Sequence, residues 1–359
     1  MQKGSINYFL ILYKRTMKIS IFSFLLSCTF YSAQIKTYTE KNLSIPYFEN
    51  RIKKVMDSLQ VLGMSVAIIN NGKIVYNKGF GVSDIKQKKQ VTNHTLFEAA
   101  SLSKPVFSYF VLKLVHERKL NLDEPLYKYL PADNISDERY KKITARMVLS
   151  HTTGLPNWSE TTPIPLLFNP GEKFSYSGEA FVYLAKVIAK ITNTNLQNLD
   201  QVFQQKVAKK LGLENFHFVI TKEAEYNQAT GYQNRQQVKD IRDRAIFDPA
   251  GGLYANTSNY TQFLIKLMKQ KKEYKEMFTS ASRLDDNDPI KSYFGIQNWT
   301  LGLAVVKIKN SINYWHGGNN LGFTSSFMIN PEKEFGHVFF TNADQCNDMK
   351  KVFEDILWR

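Results

Sequence analysis

The chain has 359 residues, 43% hydrophobic and 22% charged, which excludes a disordered chain and suits one large module with an inserted region. Two cysteines cannot build a disulfide framework, and 18 glycines without sustained heptads exclude collagen-like and coiled-coil chains. The formal net charge of +15 invites a nucleic-acid reading, but the lysines are scattered and no Arg-rich arm, zinc finger or RNP-type motif is present. A solvated basic surface is therefore expected, with electrostatic attraction to anionic envelope polymers as its sharper use, and no nucleic-acid partner.

Residues 1–33 carry Lys3, Lys14, Arg15 and Lys18 and no acid. A short apolar stretch, Ile19 to Tyr31, then leads to Ser32-Ala33-Gln34. A charged start, a short apolar run and a small-residue exit predict a secretory leader over 1–33, with a true start at Met17 as an alternative. The apolar run is too short to span a bilayer comfortably. Export to the periplasm or beyond is expected, with simple secretion favoured over lipid attachment at Cys28. Residues 34–359 should form a single module.

Phe48, Ile52, Val55, Leu59 and Leu62 line one helix face, and Gly63 is placed to stop it. Met64–Ile69 and Lys73–Tyr76 flank Asn70-Asn71-Gly72, a hairpin pattern because both turn positions tolerate positive φ. Gly79-Phe80-Gly81 lacks the third glycine of a dinucleotide fingerprint and reads as a strand-end turn. Helices are predicted over Val106–His116, Ala180–Ile191, Leu199–Leu211 and Ser258–Lys269. Strands are predicted over Leu301–Ile308, Phe323–Ile329 and His337–Thr341, and a last helix over Met349–Leu357. Strands at both ends with helices between predict an α+β fold. Its antiparallel sheet would be flanked by helices, with a helical subdomain, about 115–270, inserted between the sheet-forming ends.

No P-loop, His-Glu-x-x-His pair or Gly-x-Ser-x-Gly elbow occurs, and the six histidines show no close metal-ligand spacing. No metal or cofactor is expected. Ser101 and Lys104, in contrast, are spaced to share one face of a helix start. A Ser hydroxyl is a weak nucleophile until a base takes its proton, and a Lys can be that base when burial or nearby positive charge lowers its pKa. The free N–H groups of the helix start would stabilise an oxyanion. Alone, Ser-x-x-Lys also describes a Ser-capped surface helix. Two further stretches join it. Pro170–Gly178 carries Tyr176, which could relay the Ser101 proton or be a half-buried aromatic. Trp315–Phe323 carries His316, Gly317, Gly318 and Asn319, where glycine lets a substrate backbone approach a strand edge and the Asn319 N–H could be a second oxyanion donor.

In order and spacing the three stretches resemble the serine β-lactamase and penicillin-binding-protein family, above all its branch of class C β-lactamases, DD-peptidases and family VIII esterases. The resemblance covers most of residues 50–350, including Ala67–Gly72, Met147–Pro156 with His151, and Pro249–Tyr254. It implies the β-lactamase/transpeptidase-like fold with the site in the cleft between sheet and helices. It further implies Ser101 as acylated nucleophile, Lys104 as its base, Tyr176 as proton exchanger and His316 where relatives often carry Lys. The N–H groups of Ser101 and Asn319 would form the oxyanion hole. Two positions depart from the family pattern. Gly178 stands where an Asn would hold an acylamino group, and His316 can be neutral at pH 7 where Lys would be charged. The expected function is an exported serine hydrolase forming a Ser acyl-enzyme with an ester or amide, its substrate a small molecule or peptidoglycan-derived. A D-alanyl carboxypeptidase or weak β-lactamase is one alternative, and an inactive envelope-binding protein of the same fold is another.

Overall fold

The computed structural model describes residues 34–239, 242–344 and 346–359, so the expected leader and Cys28 lie outside the described residues. Helix α1, Ile45–Ser58, begins with Pro in its first turn and buries Phe48, Ile52 and Met56. It ends before Gly63, with Gln60 at φ 56°. Gly63 opens strand β1 instead, and its missing side chain serves packing, since a Cβ there would lie 2.3 Å from the Val82 carbonyl oxygen. Strands β1, Gly63–Asn70, and β2, Lys73–Asp84, form the expected hairpin, and Asn71 and Gly72 take φ of 49° and 65°.

Gly79-Phe80-Gly81 is not a strand-end turn. Both glycines lie inside β2, where a Cβ on Gly79 would meet the Val91 carbonyl oxygen at 2.5 Å and one on Gly81 the Leu62 carbonyl oxygen at 2.0 Å. They let neighbouring backbone press onto the strand.

The remaining strands of the main sheet are β3, Lys89–Gln90; β4, Ser282–Arg283; β5, Ile296–Trp299; β6, Ala304–Ile308; β7, Ser311–Asn320; β8, Phe323–Asn330; and β9, Phe335–Thr341. Among the described residues the order is β4-β5-β6-β7-β8-β9-β1-β2-β3, antiparallel throughout. The two ends of the chain meet where β9 pairs β1, from Gly336 opposite Ile69 to Thr341 opposite Met64.

Both faces of the sheet are covered, so β1 reads as a continuous apolar run. Val66 and Ile68 face a core shared with α1 and with helix α7, Met349–Phe353. Ala67 and Ile69 face a second core shared with α2, Ser103–His116, and α6, Thr257–Lys269. Helices α3, Ala145–Leu149, α4, Glu179–Ile191, and α5, Leu199–Phe203, join the second core. The helices expected over Leu199–Leu211 and Met349–Leu357 each pass into a π turn, at Gln204–Ala208 and Glu354–Trp358. The short strand Tyr254–Ala255 pairs with Phe97–Glu98, carrying the chain straight into the Ser101 turn.

Helix α2 runs buried from Ser103 to Leu112, as expected of a helix apolar around its whole circumference. Lys104 is a charged-type side chain inside that helix, and its burial sets the chemistry of the site.

Candidate active site

Ser101 sits in a tight turn, Ala100–Leu102, immediately before α2, rather than within the α-helix itself. Ala100 is held at φ 49°, a conformation that non-glycine residues keep only when their surroundings impose it. The surroundings do. The Ala99 N–H donates to the Leu253 carbonyl at 2.8 Å, the Ser103 hydroxyl to the Ala100 carbonyl at 2.6 Å, and the Ser325 hydroxyl to the Ala99 carbonyl at 2.6 Å. The Tyr260 hydroxyl donates to the Leu102 carbonyl at 2.8 Å.

Lys104, 1% exposed, places Nζ 3.3 Å from the Ser101 hydroxyl oxygen and donates to the Ala250 carbonyl at 2.8 Å. Its amine lies 4.8 Å from the centre of the Tyr176 ring. Burial lowers the Lys104 pKa from 10.5 to about 7, against the pull of the Asp248 carboxylate. The amine is thus neutral in a large share of molecules near pH 7, and a neutral amine can accept a proton.

Tyr176 arrives from the loop before α4. Its phenol is raised above the ordinary tyrosine range by burial, with a hydrogen bond to Ser101 pulling the other way. His151 holds that loop. The Ser175 N–H donates to the His151 carbonyl at 2.8 Å and the Ser177 N–H to His151 Nδ1 at 3.1 Å, while the two rings stack at 4.3 Å. His151 is fully buried and burial drives its pKa well below 6.5, so it is a neutral brace. Its stretch stood out in the sequence, but its hold on Tyr176 did not.

Strand β7 brings the third group. Strand β6 pairs β7 only as far as Trp315, opposite Ala304, which leaves His316 to Asn320 on an open edge beside Ser101. At Gly318 a Cβ would lie 2.8 Å from the Ser101 nitrogen and 2.5 Å from the Ser325 hydroxyl oxygen, so only glycine lets the strand lie against the Ser101 turn. Asn319 follows, its side-chain oxygen accepting from the Thr324 hydroxyl at 3.1 Å. Gly317 Cα abuts the Trp315 indole, where a Cβ would sit 2.6 Å from the ring. His316 is 1% exposed, and burial with the nearby Lys104 charge lowers its pKa to about 3. Its Nδ1 lies 2.8 Å from the Gly317 carbonyl, which assigns the proton to Nδ1 and leaves Nε2 as a buried acceptor with no partner among the described residues.

Ser101, Lys104, Tyr176, His316, Gly317, Gly318 and Asn319 are thus brought together, with Gly178 at the start of α4 beside them. Two cavities open on Ser101. One of about 220 Å³ is lined by Tyr176, His316, Trp299, Trp315, Ile290 and Phe294. The other, of about 480 Å³, reaches from Ser101 and Lys104 past Trp158 to Phe247 and Asp248.

A clamp that sequence reading missed fixes the floor of the second cavity. Buried Glu98 pairs with Arg242 and accepts from the Asn320 amide at 2.8 Å, and the same amide donates to the Gly251 carbonyl at 3.1 Å. This holds the turn whose Ala250 carbonyl receives the Lys104 amine.

The description "Beta-lactamase" belongs to the family model that matches residues 48–354. The chain belongs to the β-lactamase family. It is 24% identical over 307 residues to protein flp of Staphylococcus aureus strain N315, covering 79% of this chain and 60% of that one, so it spans less than two thirds of that relative. A class C β-lactamase superposes with a TM-score of 0.74 at 18% identity, covering 86% of this chain and 94% of that one. EstCE1, described as a hydrolase with promiscuous acyltransferase activity, superposes with a TM-score of 0.73 at 21% identity, covering 88% and 99%. The expected α+β fold, an antiparallel sheet flanked by helices in the β-lactamase/transpeptidase manner, is therefore the fold of this chain, within a family of serine hydrolases.

Among the described residues no group of three or more His, Cys, Asp or Glu could hold a metal, and no helix is long and apolar enough to cross a membrane.

Proposed function

We propose that this β-lactamase-family chain is a serine ester hydrolase that works through an acyl group on Ser101. The observation that carries the reading is the buried Lys104 amine, 3.3 Å from the Ser101 hydroxyl with its pKa near 7. In the first half-reaction Ser101 Oγ attacks the ester carbonyl and its proton passes to the Lys104–Tyr176 pair. The carbonyl oxygen gains charge against the Ser101 and Asn319 N–H groups, and the C–O bond to the alcohol breaks as the alcohol takes the proton through Tyr176. Water then repeats the sequence on the acyl-Ser101 ester, releasing the acid and restoring the hydroxyl.

The leaving-group side favours uncharged alcohols. Tyr176 and His316 line the smaller cavity, and its other walls include Trp299, Trp315, Ile290 and Phe294. A carboxylate needs donors or a cation there. His316 is neutral and offers a lone pair at Nε2, and Lys350, behind Trp315, is paired with Glu354. A carboxylate-bearing β-lactam or D-alanyl peptide would meet no cation in this lining, only the Asn347 side chain and a neutral imidazole. With a p-nitrophenyl ester, a cephalosporin and a D-Ala-D-Ala peptide offered side by side, the ester should give a kcat/KM higher by about tenfold or more, the scale of one unmet charge-assisted hydrogen bond. Equal or faster turnover of the peptide or the cephalosporin would reassign the protein within its family. We place the reaction at the cell envelope on the leader pattern of residues 1–33.

The reading also fixes a pH dependence. Lys104 must be neutral to accept the proton, so kcat/KM for an aryl ester should rise with pH, with an apparent midpoint near 7 that belongs to the coupled Lys104–Tyr176 pair. A flat profile from about pH 5 to about pH 9, with acylation rate-limiting, would contradict a lysine base.

A further inference from the structure

We propose that the larger cavity is the subsite for the acyl part of the substrate, and that it takes an apolar acyl chain without an amide, packed on the Trp158 indole. The inference deepens the acyl-Ser101 reading and rests on it for the assignment of sides. Tyr176 and the leaving alcohol share the smaller cavity, so the acyl group that stays on Ser101 extends into the larger one, which also reaches Ser101.

Trp158 is 55% exposed and lines this cavity, offering a broad apolar ring to a ligand. It is held on both sides. The Asn157 carbonyl accepts from the Gly178 and Glu179 N–H groups at 3.0 Å each, Asn157 Oδ1 accepts from the Gly178 N–H at 3.0 Å, and the Ser159 N–H donates to Glu179 Oε1 at 3.1 Å. The ring is thereby laid over Gly178, where a Cβ would collide with Cη2 and Cζ2 at 2.7 Å. The space in which a side chain at 178 would stand is filled by indole. The same cavity is lined by Val182, Leu196, Ile246 and Phe247.

The charged groups that line this cavity beside Lys104 are tied to protein partners. Arg242 pairs with Glu98 and donates to the Gly251 carbonyl, and Asp248 Oδ1 accepts from the Ala250 N–H at 2.8 Å. An acyl group packed on the indole with an internal amide would set that amide against apolar surface, at the cost of an unmade hydrogen bond. An alkanoyl chain loses nothing there and gains contact with the indole face.

The test compares p-nitrophenyl hexanoate with the p-nitrophenyl ester of N-acetylglycine, which has a similar length and an internal amide. In the wild-type protein kcat/KM should favour the hexanoate. Trp158→Ala should lower that preference about tenfold, the scale expected for losing one aromatic wall. A parallel readout needs no turnover: methyl hexanoate added to the Ser101→Ala protein should shift tryptophan emission saturably, and the shift should vanish in the Ser101→Ala, Trp158→Ala double variant. An unchanged preference in Trp158→Ala, or no emission response, overturns the subsite while leaving ester hydrolysis intact. Absence of ester turnover in the wild type alongside a saturable, Trp158-dependent shift overturns the hydrolase and supports the apolar pocket.

Discussion

Replacing Ser101 by Ala should reduce hydrolysis of a short-chain aryl ester by at least about 10³-fold, the scale of removing an attacking oxygen from an acyl-transfer site. The loss would report chemistry rather than folding. The turn around Ser101 is fastened by the hydroxyls of Ser103, Ser325 and Tyr260 and by the Ala99 N–H, none of which bonds to the Ser101 side chain. The Ala protein should therefore melt close to the wild type. Intact-mass measurement after a fluorophosphonate should show one adduct on the wild type and none on the variant. An inactive binding protein of the same fold predicts something different: no adduct on either protein and equally low rates in both. That outcome would remove the enzymatic reading.

The elements legible in the sequence are those fixed by local chemistry. Asn71-Gly72 announces its hairpin because the turn needs two left-handed residues in succession, and both residue types tolerate that backbone. Ser101, Lys104, Tyr176 and His316 could be named as candidates from three short stretches because each stands in a motif a few residues long. What stayed hidden depends on partners far along the chain. Glu98 and Asn320 are 222 positions apart, and Arg242 stands in no motif of its own, its pairing with the buried Glu98 carboxylate being made by the fold. The glycines of β2 were misread for the same reason. Gly79 and Gly81 read as punctuation in a local window, whereas the backbone pressing on them comes from Val91 and Leu62. Trp158 carries no pattern of its own, since its place over Gly178 is set by hydrogen bonds reaching back from α4.

Lys104→Met should be both less active and more stable than the wild type, and the two effects have one cause. A buried amine whose pKa falls from 10.5 to about 7 is a group that folding would rather not contain. At pH 7 the unfolded chain keeps Lys104 protonated in water, whereas the folded chain must hold the ammonium in a dry site or give up its proton. The resulting penalty is on the order of 4 kcal/mol. Met fills a similar volume without that penalty. It leaves the Ala250 carbonyl without its amine partner, which returns roughly 1–3 kcal/mol of the gain. The net effect favours the variant by about 1–3 kcal/mol near neutral pH, a rise of several degrees in Tm. The pH dependence is the sharper check. Between about pH 10.5 and about pH 7 the unfolded Lys binds a proton that the folded Lys does not, so wild-type stability falls as pH falls through that window. Below about 7 both states are protonated and the penalty stays constant. The Tm difference between variant and wild type should therefore open on going from alkaline to neutral pH and level off below neutrality, while groups common to both proteins cancel. Activity should move the opposite way at every pH, falling about 10²–10⁴-fold because no other group on α2 can take the Ser101 proton. A variant that melts below the wild type at pH 6, or a difference that does not change with pH, would mean that Lys104 is not the desolvated, low-pKa amine that the proposed acyl transfer requires.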